Sequence, residues 1–282
     1  MGDAASGIPG GGSPGGGNAG GASPGGGNAG GGSPVSGSSG SSSPGGGSPA
    51  SGDPAGHDAQ ASLLRTLLIL TLVSGLVDAV SYLGLGRVFT ANMTGNVVVL
   101  GFAAAGAPGF SAPASLTSLG AFLLGAICAG RVGSRMARRG RLLMLAMLTE
   151  AILVSVTAAI AFLSSTVASG AGRYTVIAVL AFAMGVRNAT VRRIAVPDMT
   201  TTVLTMTLTG LAADSSLAGG TNKGAGRRAS AVAAMLIGAV TGAALYLHLG
   251  PGLPLLIAAV AAAGAAVSFR LSPAPGLLNA PR

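Results

Sequence analysis

The chain is short of charge. Only 8% of its 282 residues are Asp, Glu, Lys or Arg, where a soluble domain carries about 25%. That deficit excludes an ordinary water-facing surface and implies a bilayer. Lysine is nearly missing: Lys223 is the only one, and the net charge of +9 rests on arginine. A basic balance can serve nucleic acid. Here, however, the arginines flank apolar runs without interleaved aromatic residues. They read as the loop charge that orients a membrane protein, so no nucleic-acid partner is expected. The single cysteine, Cys128, excludes an intrachain disulfide and leaves the redox compartment unread. The two histidines, His57 and His248, fall in an N-terminal tail and at a helix end. No metal-ligand cluster, nucleophile elbow or Walker loop is present, so the chain is not expected to be an enzyme or to hold a metal or cofactor.

Glycine is abundant, with 49 residues, but concentrated: residues 1–61 are almost entirely Gly, Ser, Pro, Asn and Ala, and "SPGGGNAGGA" recurs at a period of ten. Such a segment has no apolar surface to offset its chain entropy and is expected to be disordered. It lacks the basic and apolar regions of a signal peptide. Deleting residues 2–58 is therefore expected to leave membrane insertion and thermal stability unchanged. A short C-terminal tail, 272–282, is expected at the other end.

From residue 62 the chain is apolar. A spanning helix needs about 20 mostly apolar residues, and eight runs qualify as candidates: 63–85, 89–106, 114–134, 142–164, 174–191, 199–217, 229–249 and 252–270. Two of them are unusual. The second holds Thr90, Asn92, Thr94 and Asn96 around Gly95. The sixth carries Thr200, Thr201, Thr202, Thr205, Thr207 and Thr209 before Asp214. Charge chooses between topologies. If all eight runs cross, one orientation puts Arg131, Arg135, Arg138, Arg139 and Arg141 outside, and the other puts Lys223, Arg227 and Arg228 outside. Both oppose the positive-inside rule. If runs two and six dip in and return, nearly all basic residues become cytoplasmic, and only Arg87 and Arg173 stay outside. The fold expected is thus an all-α polytopic bundle with about six crossings, two re-entrant or broken helices and cytoplasmic termini, in the cell's plasma (inner) membrane.

The membrane domain, 62–271, then reads as two halves, 62–165 and 172–271, with the same order of segments. "GLVDA" at 75–79 is answered by "GVRNA" at 185–189, and Thr94-Gly95 by Thr209-Gly210. Three crossings per half would make this an inverted repeat. The residues Gly75-x-x-Asp78-Ala79, Tyr82-Leu83, Gly86, Phe89 and Thr94-Gly95-Asn96, with Met184-Gly185-x-x-Asn188-Ala189 and Thr209-Gly210 in the second half, resemble the signature of the YoaK-like family of bacterial integral membrane proteins. The resemblance covers roughly residues 62–271 and implies a compact polytopic membrane protein with no established activity. Two features depart from that pattern: the Gly-rich tail, and Arg187 before Asn188.

Irregular polar backbone at membrane depth survives where protein buries it or where it lines a water-filled cavity. In transporters, broken helices from inverted repeats present such groups to a solute or ion. Asn92, Thr94, Gly95 and Asn96, with Thr209 and Gly210, suit that role; the alternative for the Thr-Gly pairs is close helix packing. Ionisable residues within spans are functional candidates. Asp78 lies about 22–24 Å along its helix from the inner end at 1.5 Å per residue, and Glu150 about 12 Å along its own. Arg187 falls at a depth that allows a Glu150–Arg187 pair, although snorkelling to the inner surface is the alternative. The basic residue nearest Asp78 is Arg87, which would have to fold back, and the alternative to proton exchange at Asp78 is a carboxylate held by the Asn/Thr cluster. Asp78 and Asn188 would be equivalent positions facing each other. The leading expectation is transport of a small solute or ion, coupled to protons through Asp78 or Glu150, with membrane lipid and the solute or proton as partners and homo-oligomerisation left open. The alternative is a non-transporting scaffold, assembly partner or sensor.

Overall fold

A computed structural model describes residues 54–163, 170–194 and 204–279. Within them the chain is helical, without strands: α1 (Pro54–Gly84), α2 (Met93–Ala104), α3 (Ala112–Arg135), α4 (Arg139–Leu163), α5 (Gly170–Ile194), α6 (Leu204–Ala213), α7 (Ala225–Leu249), α8 (Gly252–Leu271) and α9 (Ala274–Asn279). Six of these, α1, α3, α4, α5, α7 and α8, are long and apolar enough to cross a membrane. With 12 and 10 residues, α2 and α6 reach roughly 18 and 15 Å at 1.5 Å per residue, well short of a hydrocarbon core of about 30 Å.

Helix extends past both ends of the 62–271 range. α1 begins at Pro54 rather than near residue 62. Proline's fixed φ suits a first helical turn, and Ala59 is already buried. Beyond α8 the chain forms α9, which packs on α1 and α4. A deletion that tests the Gly-rich segment should therefore stop at residue 53. Residues 1–53 lie outside the described residues, as do Thr200, Thr201 and Thr202.

The two innermost spans are α1 and α5, 67% and 61% buried over their most apolar windows, against 28% for α3 and 17% for α7. Glycine explains how the outer pair attaches to the inner one. Gly75 of α1 lies directly against the backbone of Met235 and Ala239, while Gly238 and Gly242 of α7 lie against the carbonyls of Leu72 and Leu76. Gly125 of α3 meets the carbonyl of Phe182, and Gly185 of α5 meets that of Phe122. A side chain at any of these positions would push into backbone, so small residues are what let the helices close up. The registers, 72 with 238 and 76 with 242, make α1 and α7 parallel. α4 and α8 instead run antiparallel: Gly140 opening α4 touches Pro275 just past α8, and Gly252 opening α8 touches the Phe162 ring. The start of α1 (Asp58, Ser62, Arg65) shares a cleft with the end of α8 (Ser268, Leu271). The starts of α1 and α4 and the end of α8 therefore lie at one end of the bundle.

Candidate functional site

The site grows from the break between α1 and α2. α1 ends where Gly86 and Arg87 adopt positive φ, +91° and +58°, which reverses the chain and leads residues 88–92 back alongside α1. Asp78 holds that returning segment. Its Oδ1 accepts the backbone N–H of Thr90 at 2.9 Å and of Ala91 at 2.7 Å. Asp78 is 4% exposed, and among the described residues its Oδ2 has no hydrogen-bond partner. Arg87 does not fold back to it; its guanidinium stacks over the Phe110 ring, 5.3 Å from the centroid, because the left-handed turn aims it away from the core.

Asn96 fixes the same segment from the other side. Its side chain accepts from the Phe89 N–H at 2.8 Å and donates to the Phe89 carbonyl at 2.6 Å and the Ser118 hydroxyl at 3.1 Å. The Phe89 ring covers Gly95, where a Cβ would collide with it, and stacks on Tyr82 at 4.8 Å. Asn96 is a brace and lines neither cavity described below, contrary to its expected role as a ligand.

Ser74, Asp78, Asn92, Thr94, Gly95 and Thr205 line a cavity of about 320 Å³. The N-terminus of α2 faces it. The Asn92 side chain makes no capping hydrogen bond, so the first-turn N–H groups of α2 bring the positive end of the helix dipole to the wall. The cavity thus offers donors from α2, hydroxyls from Thr94 and Thr205, and one carboxylate, which is chemistry for a small polar solute, an ion or a proton.

The expected Glu150–Arg187 pair is formed, at 2.8 Å with both side chains 0% exposed. Arg187 is not snorkelling. Its Nη1 also donates to the Leu70 carbonyl at 3.0 Å, and its Nη2 donates to the Ser74 hydroxyl. Ser74 sits one helical turn before Asp78 and also lines the cavity, so a continuous polar chain joins the cavity to the buried ion pair. Composition gave no sign of Ser74, but its i−4 spacing from Asp78 was a readable signal.

Other expected members fall elsewhere. Asn188 lines a second, larger cavity of about 670 Å³ with Thr94, Phe122, Leu123, Ile127 and Arg192; only Ala91 and Thr94 belong to both walls. Asp78 and Asn188 therefore do not share one chamber. Thr209 is exposed, and the Gly210 carbonyl accepts from Arg228 at 2.8 Å, which also pairs with Asp214 at 2.6 Å. The Thr94-Gly95 pair opens α2, whereas Thr209-Gly210 lies in the later half of α6. The α6 threonine at the cavity is therefore Thr205, four residues earlier.

A family model described as "Protein of unknown function (DUF1275)" matches residues 66–268. The UPF0700 transmembrane protein YoaK of Bacillus subtilis (strain 168) is 34% identical over 152 residues, covering 52% of this chain and 65% of that protein. The aligned stretch thus spans less than two thirds of that relative. No solved structure matches.

Proposed function

The chain belongs to the DUF1275 family of proteins of unknown function and is an integral, multi-pass membrane protein; on that premise we propose that it carries a small polar solute or ion across the membrane, with the cavity beside Asp78 as its central site. The observation that carries the reading is a buried carboxylate and a helix N-terminus on one wall of a cavity that opens past the exposed Asn92, Thr94 and Thr205 of an apolar bundle. A volume of about 320 Å³ falls at the small end of ligand pockets, which run from about 300 to 1,000 Å³. The proposal assigns the chain no catalysis and no cofactor.

The architecture proposed is six crossings with α2 and α6 re-entrant and the halves inverted. The antiparallel course of α4 and α8 supports it, since eight crossings would make them parallel. The helix pairs support the inversion. α1 against α7 and α5 against α3 exchange under the swap of halves, as do α4 against α5 and α8 against α1. The contacts correspond residue by residue: Gly75 on Met235 matches Gly185 on Phe122, and Gly238 on Leu72 matches Gly125 on Phe182. Arg65, the five arginines around the α3–α4 turn, Arg192, Arg193 and Arg270 gather at one end, which the positive-inside rule makes cytoplasmic. With Cys128 replaced by alanine, Arg138→Cys is expected to react with an impermeant maleimide only from the cytoplasmic side, and His248→Cys only from outside. Labelling of residue 138 from outside would refute the six-crossing arrangement.

The transport test uses proteoliposomes loaded with a pH-sensitive dye and challenged with amino acids, small organic acids, inorganic anions and monovalent cations. At least one class is expected to evoke a saturable flux that Thr94→Val slows severalfold. Silence across the panel, with protein shown to be folded and inserted, favours the second reading, a non-transporting scaffold. Asn96 speaks for that reading, since its amide is fully engaged by Phe89 and Ser118.

A further inference from the structure

We propose that the groove over the α3–α5 seam, walled on its other side by Met93 and Thr94 at the start of α2, holds one anionic phospholipid, its acyl chain along Phe122, Leu123, Ala126 and Ile127 and its phosphate on Arg192. The groove encloses about 670 Å³, and its wall is apolar except for Thr94, Asn188 and Arg192. It opens sideways: Leu123 and Ile127 are 59% and 50% exposed on the outer surface of the bundle, where lipid tails lie.

Charge sets the identity of the headgroup. Arg192 occupies the last turn of α5, and the stem of Arg193 lies against Gly133 of α3. That contact brings the arginine-bearing end of α5 beside Arg131 and Arg135 of α3, both exposed. No aspartate or glutamate lines the groove among the described residues, and there Arg192 forms no ion pair or hydrogen bond. A guanidinium with its donors unused at the mouth of an apolar slot matches a phosphodiester, which takes parallel N–H donors. Length sets the tail. α3 and α5 run side by side with 125 near 182 and 133 near 193. The slot thus extends about ten residues from the level of Phe122 to that of Arg192, or roughly 15 Å at 1.5 Å per residue, which is one leaflet of a core about 30 Å thick. A basic pocket between spanning helices at the arginine-rich face is a recognised setting for acidic lipid. Nothing in this inference depends on transport.

The chain has no tryptophan, so an introduced one reports without background. Leu123→Trp, in the full chain reconstituted into vesicles, is to be quenched by phosphatidylglycerol or phosphatidylcholine brominated at mid-chain; Ile127→Trp serves if the first variant does not fold. The groove reporter is expected to prefer brominated phosphatidylglycerol by about fivefold or more, and R192A in the same background is expected to reduce the preference to near unity. Val240→Trp, on the lipid-facing side of α7 at 60% exposure, is expected to show no headgroup preference. Equal quenching by both lipids in the groove, a preference that survives R192A, or the same preference at residue 240 each overturns the proposal. The last outcome would mean only general attraction of acidic lipid to a basic protein.

Discussion

Glu150→Ala is expected to destabilise the folded protein by about 3–5 kcal/mol, the range for removing one partner of a buried ion pair. The loss arises less from the vanished 2.8 Å contact than from what it leaves behind. Arg187 is fully buried among α1, α4 and α5 and keeps only the Leu70 carbonyl and the Ser74 hydroxyl, two neutral groups for a full charge. Neither can match a carboxylate in a medium of low polarity. The double replacement Glu150→Leu with Arg187→Met removes both charges and is expected to regain most of the loss, because apolar side chains of similar volume often substitute for a buried pair without penalty. Thermal unfolding of the purified full chain in detergent reads both. A Glu150→Ala protein that melts with the parent would show that the pair does not hold the bundle.

The second large effect is functional. Asp78→Asn is expected to leave the fold near the parent in stability while abolishing the proton dependence of any flux. An asparagine oxygen can still accept the N–H groups of Thr90 and Ala91, now taken by Oδ1, but no titrating group remains. Asp78→Ala should behave differently. It strips two buried amides of their acceptor, each costing about 1–3 kcal/mol, so the returning segment loosens and folding suffers with activity. The contrast separates a proton carrier from a structural clasp. If the asparagine protein retains proton-dependent flux, the carboxylate is the clasp alone, and the scaffold reading takes precedence.

Much of this was legible in the chain, for identifiable reasons. Hydropathy and arginine placement distinguished the six long helices from the two short ones, because bilayer thickness is a strict ruler. Depth along the helices anticipated the Glu150–Arg187 pair, since 1.5 Å per residue applies wherever a helix is regular. Reading failed where the backbone turns. The left-handed turn at Gly86 and Arg87 aims Arg87 outward, which spacing does not reveal. Asn96 looks like a ligand in sequence and is a brace in space, because the returning segment brings Phe89 and Ser118 to it. In α6, Thr205 and Thr209 differ by one turn, and only the packing of α6 against α7 selects which of them meets the cavity.

The glycine contacts of α1 bear on how the protein is made. A ribosome delivers α1 to the membrane first, yet the helix that fits its glycine face, α7, leaves the ribosome next to last among the spans. Asp78 finds its amides only 12 and 13 residues later, so that clasp can close early, while the groove for α7 must stay filled by lipid until most of the chain has been synthesised. α3 waits in the same way, though more briefly, for α5. Neither half should mature alone, and a chain truncated before α7 is expected to be held in the membrane as an assembly intermediate and cleared by quality control.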